Sequence, residues 1–295
     1  MIISGIFTGL INTKFGGRPP YFNQRYYQGL SYLGGNTQQK IVYVKPEDLD
    51  KVKEVLSHKL TEEEYQRYTL IPFNLEDQIF NEKLLKVREK EGFPYDRCPQ
   101  VQYGKFEWMS NHIDEDEYIW WVDAGLICDH LFPTKYMSNP EEIKKILNDE
   151  FFENLKSRVG TKNYFICGDR HRVYQHGKPN IKYFKQNYQD RYHTIGGFFG
   201  GYSKTFKNFI NDFNVKADEI LNDVVLYSEE TIMEIIFSEQ IDNCYYDDFT
   251  TWRHESSPDY RNGTDNFRLE FDQKHKPFYC NFFESEICRN SKICN

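Results

Sequence analysis

The chain has 295 residues, room for one large α/β domain or two small ones. Its formal net charge is -8 with no basic block, which argues against a protein that tracks nucleic-acid phosphates. Seven cysteines, an odd number without a C-x-x-C pair, suggest neither a disulfide framework nor a zinc site and fit free thiols in a reducing compartment.

The apolar opening, residues 1–7, is too short to span a bilayer and lacks a basic leader, so it is expected to be the first strand. A glycine-bearing turn, Thr8-Gly9-Leu10, and a polar loop holding Gly16-Gly17-Arg18-Pro19-Pro20 follow it. Phe22, Tyr26, Leu30 and Leu33 then share one helical face, which Gly34-Gly35 ends. Residues 41–44 read as a second strand, and Pro46-Glu47 opens a helix bearing Leu49, Val52, Val55 and Leu56. Strand, helix, strand, helix announces a parallel sheet. A short third strand is expected at 70–73 and a charged helix over 75–91. The segment 105–109 is expected to be helical and to pack through Phe106, Met109 and Ile113.

Next comes Tyr118-Ile119-Trp120-Trp121-Val122-Asp123-Ala124-Gly125. Large apolar residues end abruptly in one carboxylate and two small residues, the pattern of a short strand buried on both faces. Ligands of open α/β sheets sit beyond the carboxyl ends of the strands. Asp123 is therefore a candidate to hold a divalent cation and, through it, phosphates, while Ala124 and Gly125 let a bulky partner approach. The alternative is an aspartate that merely caps the next turn.

Asn139-Pro140-Glu141-Glu142 reads as a helix start, with Ile143, Ile146 and Leu147 facing inward. A strand is expected at 164–168 and a basic, aromatic loop over 169–191. After His193, two glycine pairs bracket two aromatic residues in Gly196-Gly197-Phe198-Phe199-Gly200-Gly201. Such a backbone could lie flat against a sugar or pyrophosphate. It could equally be a bulged strand with a phenylalanine in the core. Phe206, Phe209, Ile210 and Phe213 predict an amphipathic helix, and a further helix over 229–241 is apolar through Ile232, Ile235 and Ile236. From 245 onward the chain is turn-rich and takes no assignment.

Two further candidates stand out. Glu239, followed by Gln240, lies near a helix C-terminus, where a carboxylate faces the negative pole of the dipole; it is either a functional acid or a surface one. Lys105 precedes the Asp123 strand and either reaches a phosphate or is simply solvated.

At these residues the chain resembles the HtrL/YibB-like family of bacterial glycosyltransferases, within the GT-A nucleotide-sugar transferases. The likeness rests on the opening strand through Gly9, Arg25 with Tyr26, Tyr103-Gly104-Lys105-Phe106, the Trp-Val-Asp-Ala-Gly run, the paired glycines of 196–201 and Glu239-Gln240. These lie in the family's order over residues 1–245.

The resemblance implies a single GT-A-like domain over 1–295, with a mostly parallel central sheet flanked by helices. Residues 1–130 would form the nucleotide-binding half and 131–295 the acceptor side. It implies transfer of a sugar from a nucleotide diphosphate-sugar, UDP-sugar favoured, to a carbohydrate or glycolipid acceptor. Thr8, Gly9, Arg25, Lys105, Asp123, Ala124 and Gly125 would line the donor site. His193, Gly196, Gly197, Phe198, Gly200 and Gln240 would line the sugar and acceptor site, and Glu239 would act as the base if the enzyme inverts. Asp123 stands for the first carboxylate of the Asp-x-Asp motif, but position 125 is glycine. Mn²⁺ or Mg²⁺ would then rest on Asp123 with a distant His254 or His275, or be replaced by Lys105 and Arg25.

A nucleotidyltransferase or a non-catalytic carbohydrate-binding protein on a similar sheet are the other readings. The expected location is the cytoplasm, with peripheral association at the inner face of the membrane left open.

Overall fold

A computed structural model describes residues 1–7, 20–91, 99–113, 117–124, 144, 147–167, 194–223 and 229–248. In chain order the elements are β1 (Ile2–Ile6), α1 (Pro20–Tyr32), β2 (Lys40–Val44), α2 (Leu49–Lys59), α3 (Glu62–Tyr65), β3 (Tyr68–Pro72) and α4 (Asn81–Glu91). They continue as α5 (Pro99–Ser110), β4 (Tyr118–Val122), α6 (Asp149–Val159), β5 (Asn163–Cys167), β6 (Thr194–Tyr202), α7 (Ser203–Asn222), α8 (Glu229–Glu239) and β7 (Cys244–Asp248).

All seven strands belong to one sheet, ordered β3-β2-β1-β4-β6-β5-β7. The first four run parallel to one another, and β5 and β7 share their direction. Strand β6 alone is reversed, antiparallel to both β4 and β5. The sheet is thus mixed, and the expected parallel character holds for every described strand but β6. From β1 the sheet grows through β2 and β3 on one side, whereas β4 lies on the other side of β1. The order of winding therefore switches between β1 and β4, and such a switch opens a crevice beyond the carboxyl ends of the two strands.

The apolar runs are explained by burial on two faces. Alternate side chains Ile3, Trp121, Phe199 and Phe165 share a core with α4, α5, α7 and α8. Their neighbours Ile2, Trp120, Phe198 and Tyr164 share another with α6 and the turn after α1. A third cluster joins Ile6, Val42 and Val44 to Leu30 of α1 and to Val52 and Leu56 of α2. Full burial of one such side chain is worth about 1.5–3 kcal/mol over leaving it in water.

Three local features depart from expectation. The 75–91 segment breaks into a 3-10 turn, Leu75–Asp77, and α4. Helix α6 was not foreseen: Asn148 caps it by accepting from the Phe151 N–H at 2.9 Å, and Phe151, Phe152, Leu155 and Val159 form its buried stripe. Strand β7 emerges from the stretch that carried no assignment, parallel to β5. The helix expected at 139 lies outside the described residues, apart from the buried Lys144 and Leu147.

Candidate functional site

The site begins at the carboxyl end of β4. The Ser4 hydroxyl donates to the Val122 carbonyl at 2.6 Å, locking β1 to the last residue of β4. One residue on, the Asp123 N–H donates to the Gly197 carbonyl at 2.8 Å, so the β4–β6 ladder extends past the strand. The Asp123 backbone is fixed from one side by sheet pairing, while its side chain remains 37% exposed. Ala124 behind it is buried.

The two carboxylate oxygens of Asp123 differ. Oδ1 accepts from the Trp121 indole Nε1–H at 2.6 Å and lies 3.3 Å from the Lys105 ammonium. Oδ2 has no protein partner among the described residues. Oδ1 is thus held by two partners from the protein.

Lys105 sits on α5, a helix buried nearly all round through Gln100, Tyr103, Gly104, Phe106, Trp108 and Met109. Its ammonium has three acceptors: the Gly196 carbonyl at 2.8 Å, Glu229 Oε1 at 2.8 Å and Asp123 Oδ1 at 3.3 Å. It also lies 5.5 Å from the centroid of the Trp121 ring, where the quadrupole of the π face favours a cation. Burial works to deprotonate this lysine, but Asp123, Glu229 and Glu230 outweigh it and hold the pKa above the usual lysine value.

Glu229 and Glu230 open α8 and are both buried. Glu230 accepts from the Gly196 N–H at 3.0 Å. Gly196 is thereby gripped at both backbone groups, and a Cβ there would stand 2.7 Å from Glu229 Oε1. Any larger residue at 196 would have to displace the Glu229 carboxylate from Lys105.

The sequence candidates separate into three groups. The structure brings together Asp123, Ala124, Lys105, Gly196 and Gly197. It uses Phe198 and Gly200 for the fold. Phe198 is core, and Gly200, at φ +152°, would place a Cβ 2.0 Å from the Ile119 carbonyl oxygen. Its missing side chain lets the Trp120 and Tyr164 rings, its partners across the sheet, meet edge to face at 6.0 Å. Glu239 and Gln240 lie at the far end of α8, about 15 Å along the helix from Glu229 at 1.5 Å per residue. There Glu239, half exposed, pairs with Lys216 at 3.0 Å, and Gln240 donates to Asp212. They are not brought to Asp123. Thr8, Gly9, Gly125, His193, His254, His275 and the side chain of Arg25 lie outside the described residues.

The ammonium of Lys105, expected to reach a phosphate, is engaged by the acceptors Gly196, Glu229 and Asp123. Glu229 and Glu230 escaped the sequence reading, because two acids in a helix's first turn suit the dipole without further purpose. The available signal was Lys105 itself: a lysine within an apolar helix needs buried carboxylates.

Among the described residues no group of three or more His, Cys, Asp or Glu could hold a metal ion. What fits a cation is the single, 37% exposed carboxylate of Asp123. Mg²⁺ commonly takes one or two carboxylates and completes its shell with water and substrate phosphates. No helix among the described residues is long and apolar enough to cross a membrane.

No known protein family matches the chain, and no curated protein matches it. Among solved structures, that of mouse xyloside xylosyltransferase 1 in its apo form is similar. Identity is 12% and the TM-score 0.47, over 88% of this chain and 91% of that one. At that distance the likeness bears on none of the residues above.

Proposed function

We propose that the protein is a glycosyltransferase that moves a sugar from a nucleotide diphosphate-sugar, UDP-sugar favoured, to a carbohydrate or glycolipid acceptor. The observation that carries this reading is the half-free carboxylate of Asp123, fixed at the switch between β1 and β4. The resemblance through the Trp120–Gly125 and Gly196–Gly201 runs supports it.

In the reaction the bond between the anomeric carbon and the diphosphate oxygen breaks. The electron pair leaves with the diphosphate, the oxygen of an acceptor hydroxyl bonds to the carbon, and the hydroxyl proton passes to the departing diphosphate or to water. A bound Mn²⁺ or Mg²⁺ supplies counter-charge for the leaving group. Asp123 Oδ2 would hold that ion. Trp121 and Lys105 keep Oδ1 occupied and so fix the carboxylate plane before the donor arrives, which removes reorganisation from the reaction.

Titration calorimetry with UDP, GDP and CMP, with and without Mn²⁺, tests the reading. Mn²⁺ should bind weakly alone and more tightly beside UDP, each strengthening the other by the same factor. Asp123→Asn should leave the fold intact and cut turnover of the UDP-sugar by about two orders of magnitude, the scale of losing one key electrostatic stabiliser. Equal nucleotide affinity and turnover in this variant and the wild type would overturn the assignment.

A further inference from the structure

The buried cluster behind Asp123 joins three elements distant in sequence. Lys105 comes from α5, Gly196 from β6, and Glu229 and Glu230 from the start of α8. The contacts described among them meet at one ammonium and one glycine. Lys105 donates to Gly196 and Glu229, Gly196 donates to Glu230, and Lys105 reaches Asp123 Oδ1. The side chain of Lys105 is 6% exposed and that of Glu229 3%, so neither can follow a ligand into the crevice. The third acceptor of Lys105 is Asp123, whose side chain is 37% exposed where that of Glu229 is buried.

We infer that Lys105, held by Glu229, is a positioning residue that turns the Asp123 carboxylate so that Oδ1 points inward and Oδ2 is presented to the cation of the donor. This rests on the proposed nucleotide-sugar reading. The geometry gives Lys105 no direct role toward phosphate. Its ammonium acts through Asp123, with the Trp121 indole as the second hold on the same oxygen. Partners of this kind, one layer behind a metal ligand, commonly alter metal affinity by one to two orders of magnitude when removed.

Removal of Lys105 alone would confuse three effects: a lost hold on Asp123, a changed local field and a damaged fold. The informative variant is the double substitution Lys105→Met with Glu229→Gln. It removes one positive and one negative charge, so the net charge of the cluster is unchanged and attraction for cation or diphosphate is preserved. It also avoids leaving Glu229 as a buried anion without its lysine.

The experiment is calorimetric titration of Mn²⁺ and UDP together into the wild type, Asp123→Asn, Glu229→Gln and the double variant, beside thermal melting of each. The expected result is a double variant that melts within a few degrees of the wild type yet binds Mn²⁺ with UDP about 10–100-fold more weakly. Glu229→Gln keeps Lys105 and an acceptor oxygen, and should bind within about threefold of the wild type, under 1 kcal/mol. A folded double variant with wild-type affinity would overturn the positioning role and leave the nucleotide reading standing. If the double variant does not fold, Lys105→Arg, which keeps the charge while its fork differs from an ammonium in reach, supplies the comparison. Wild-type affinity in it would overturn the role. A wild-type protein that binds neither Mn²⁺ nor any of the nucleotides overturns the reading, and the positioning role with it.

Discussion

Lys105 and Lys40 are both buried lysines, one on helix α5 near the carboxyl end of β4 and the other at the amino end of strand β2. Each has its ammonium out of water, 4% and 1% exposed respectively, and each donates to a backbone carbonyl, Gly196 and Asn36. They differ in company. Lys105 has two carboxylates within 3.3 Å, Glu229 and Asp123. Lys40 has the face of the Tyr68 ring at 5.7 Å and, nearby, Arg67, whose charge opposes its own. Burial and Arg67 bring the pKa of Lys40 down to about 7, against the weaker pull of Asp149 and Glu64. Lys105 instead stays charged. A buried ammonium is thus a fixed charge or a near-neutral amine according to the carboxylates in its first contacts. Only the first kind can organise another charged group.

The largest break in this comparison is Lys105→Met. It leaves buried carboxylates without their cation and should destabilise the fold by about 3–5 kcal/mol, measured by urea unfolding at neutral pH. The cost should stay level from pH 6 to 9. A base whose folded pKa is raised contributes fully below its unfolded pKa, so Lys105 loses that contribution only as pH rises above the ordinary lysine value of 10.5 and through its folded one. A cost that changed steeply in this window would deny the fixed charge.

Lys40→Met should act in the opposite sense. Below about 7 both the folded and the unfolded chain hold the Lys40 proton, and the full cost of burying the charge is present. Between that value and the ordinary 10.5 the unfolded chain binds the extra proton, so stability rises with pH there. Methionine removes the cost, so the variant should be about 1–3 kcal/mol more stable than the wild type at pH 6. The advantage should shrink toward pH 10. An advantage independent of pH would mean that packing, not charge, is responsible.

The smallest expected effect is that of Glu229→Gln. The amide oxygen still accepts from Lys105, and Asp123 still neutralises it, so the loss should be about 1–2 kcal/mol, the scale of one charge-assisted hydrogen bond. A loss equal to that of Lys105→Met would show that Glu229 alone keeps Lys105 charged. Added to the first measurement, it apportions the cluster between its two carboxylates.

The parts of the fold legible in the sequence are those where one physical cause dominates. The strand ending at Val122 announced itself because burial on both faces leaves no polar position, and Asp123 marked where it stops. Helix α7 was clear from Phe206, Phe209, Ile210 and Phe213 on one stripe. Strand β6 was ambiguous, since its glycines suit both a ligand and a close strand contact. The resolution, Gly200 against Ile119 and Gly196 against Glu229, depends on partners 81 residues earlier and 33 residues later in the chain. For the same reason the partners of Lys105 are not legible in the sequence: they come from β6 and α8, and nothing local foretells them. Glu239 looked costly at a helix end, and Lys216 on α7 relieves that cost.

The reversed strand β6 also sets an order of events during synthesis. It is the sole bridge between β4 and the β5–β7 pair. Strands β1 to β4 can pair with one another as soon as residue 122 is free of the ribosome. The outer edge of β4, with Trp120 and Trp121, then waits for residue 202 to be made. Strand β5 waits too, because both of its neighbours come later in the chain. At roughly 5–20 residues per second, the interval is about 4–16 s for the newborn chain. During it an unpaired, tryptophan-bearing strand edge is open to any other strand it meets. The same insertion that seats Gly196 beside Lys105 therefore makes completion of the sheet depend on a segment far downstream, and makes that interval the one in which a nascent copy most needs shelter from its neighbours.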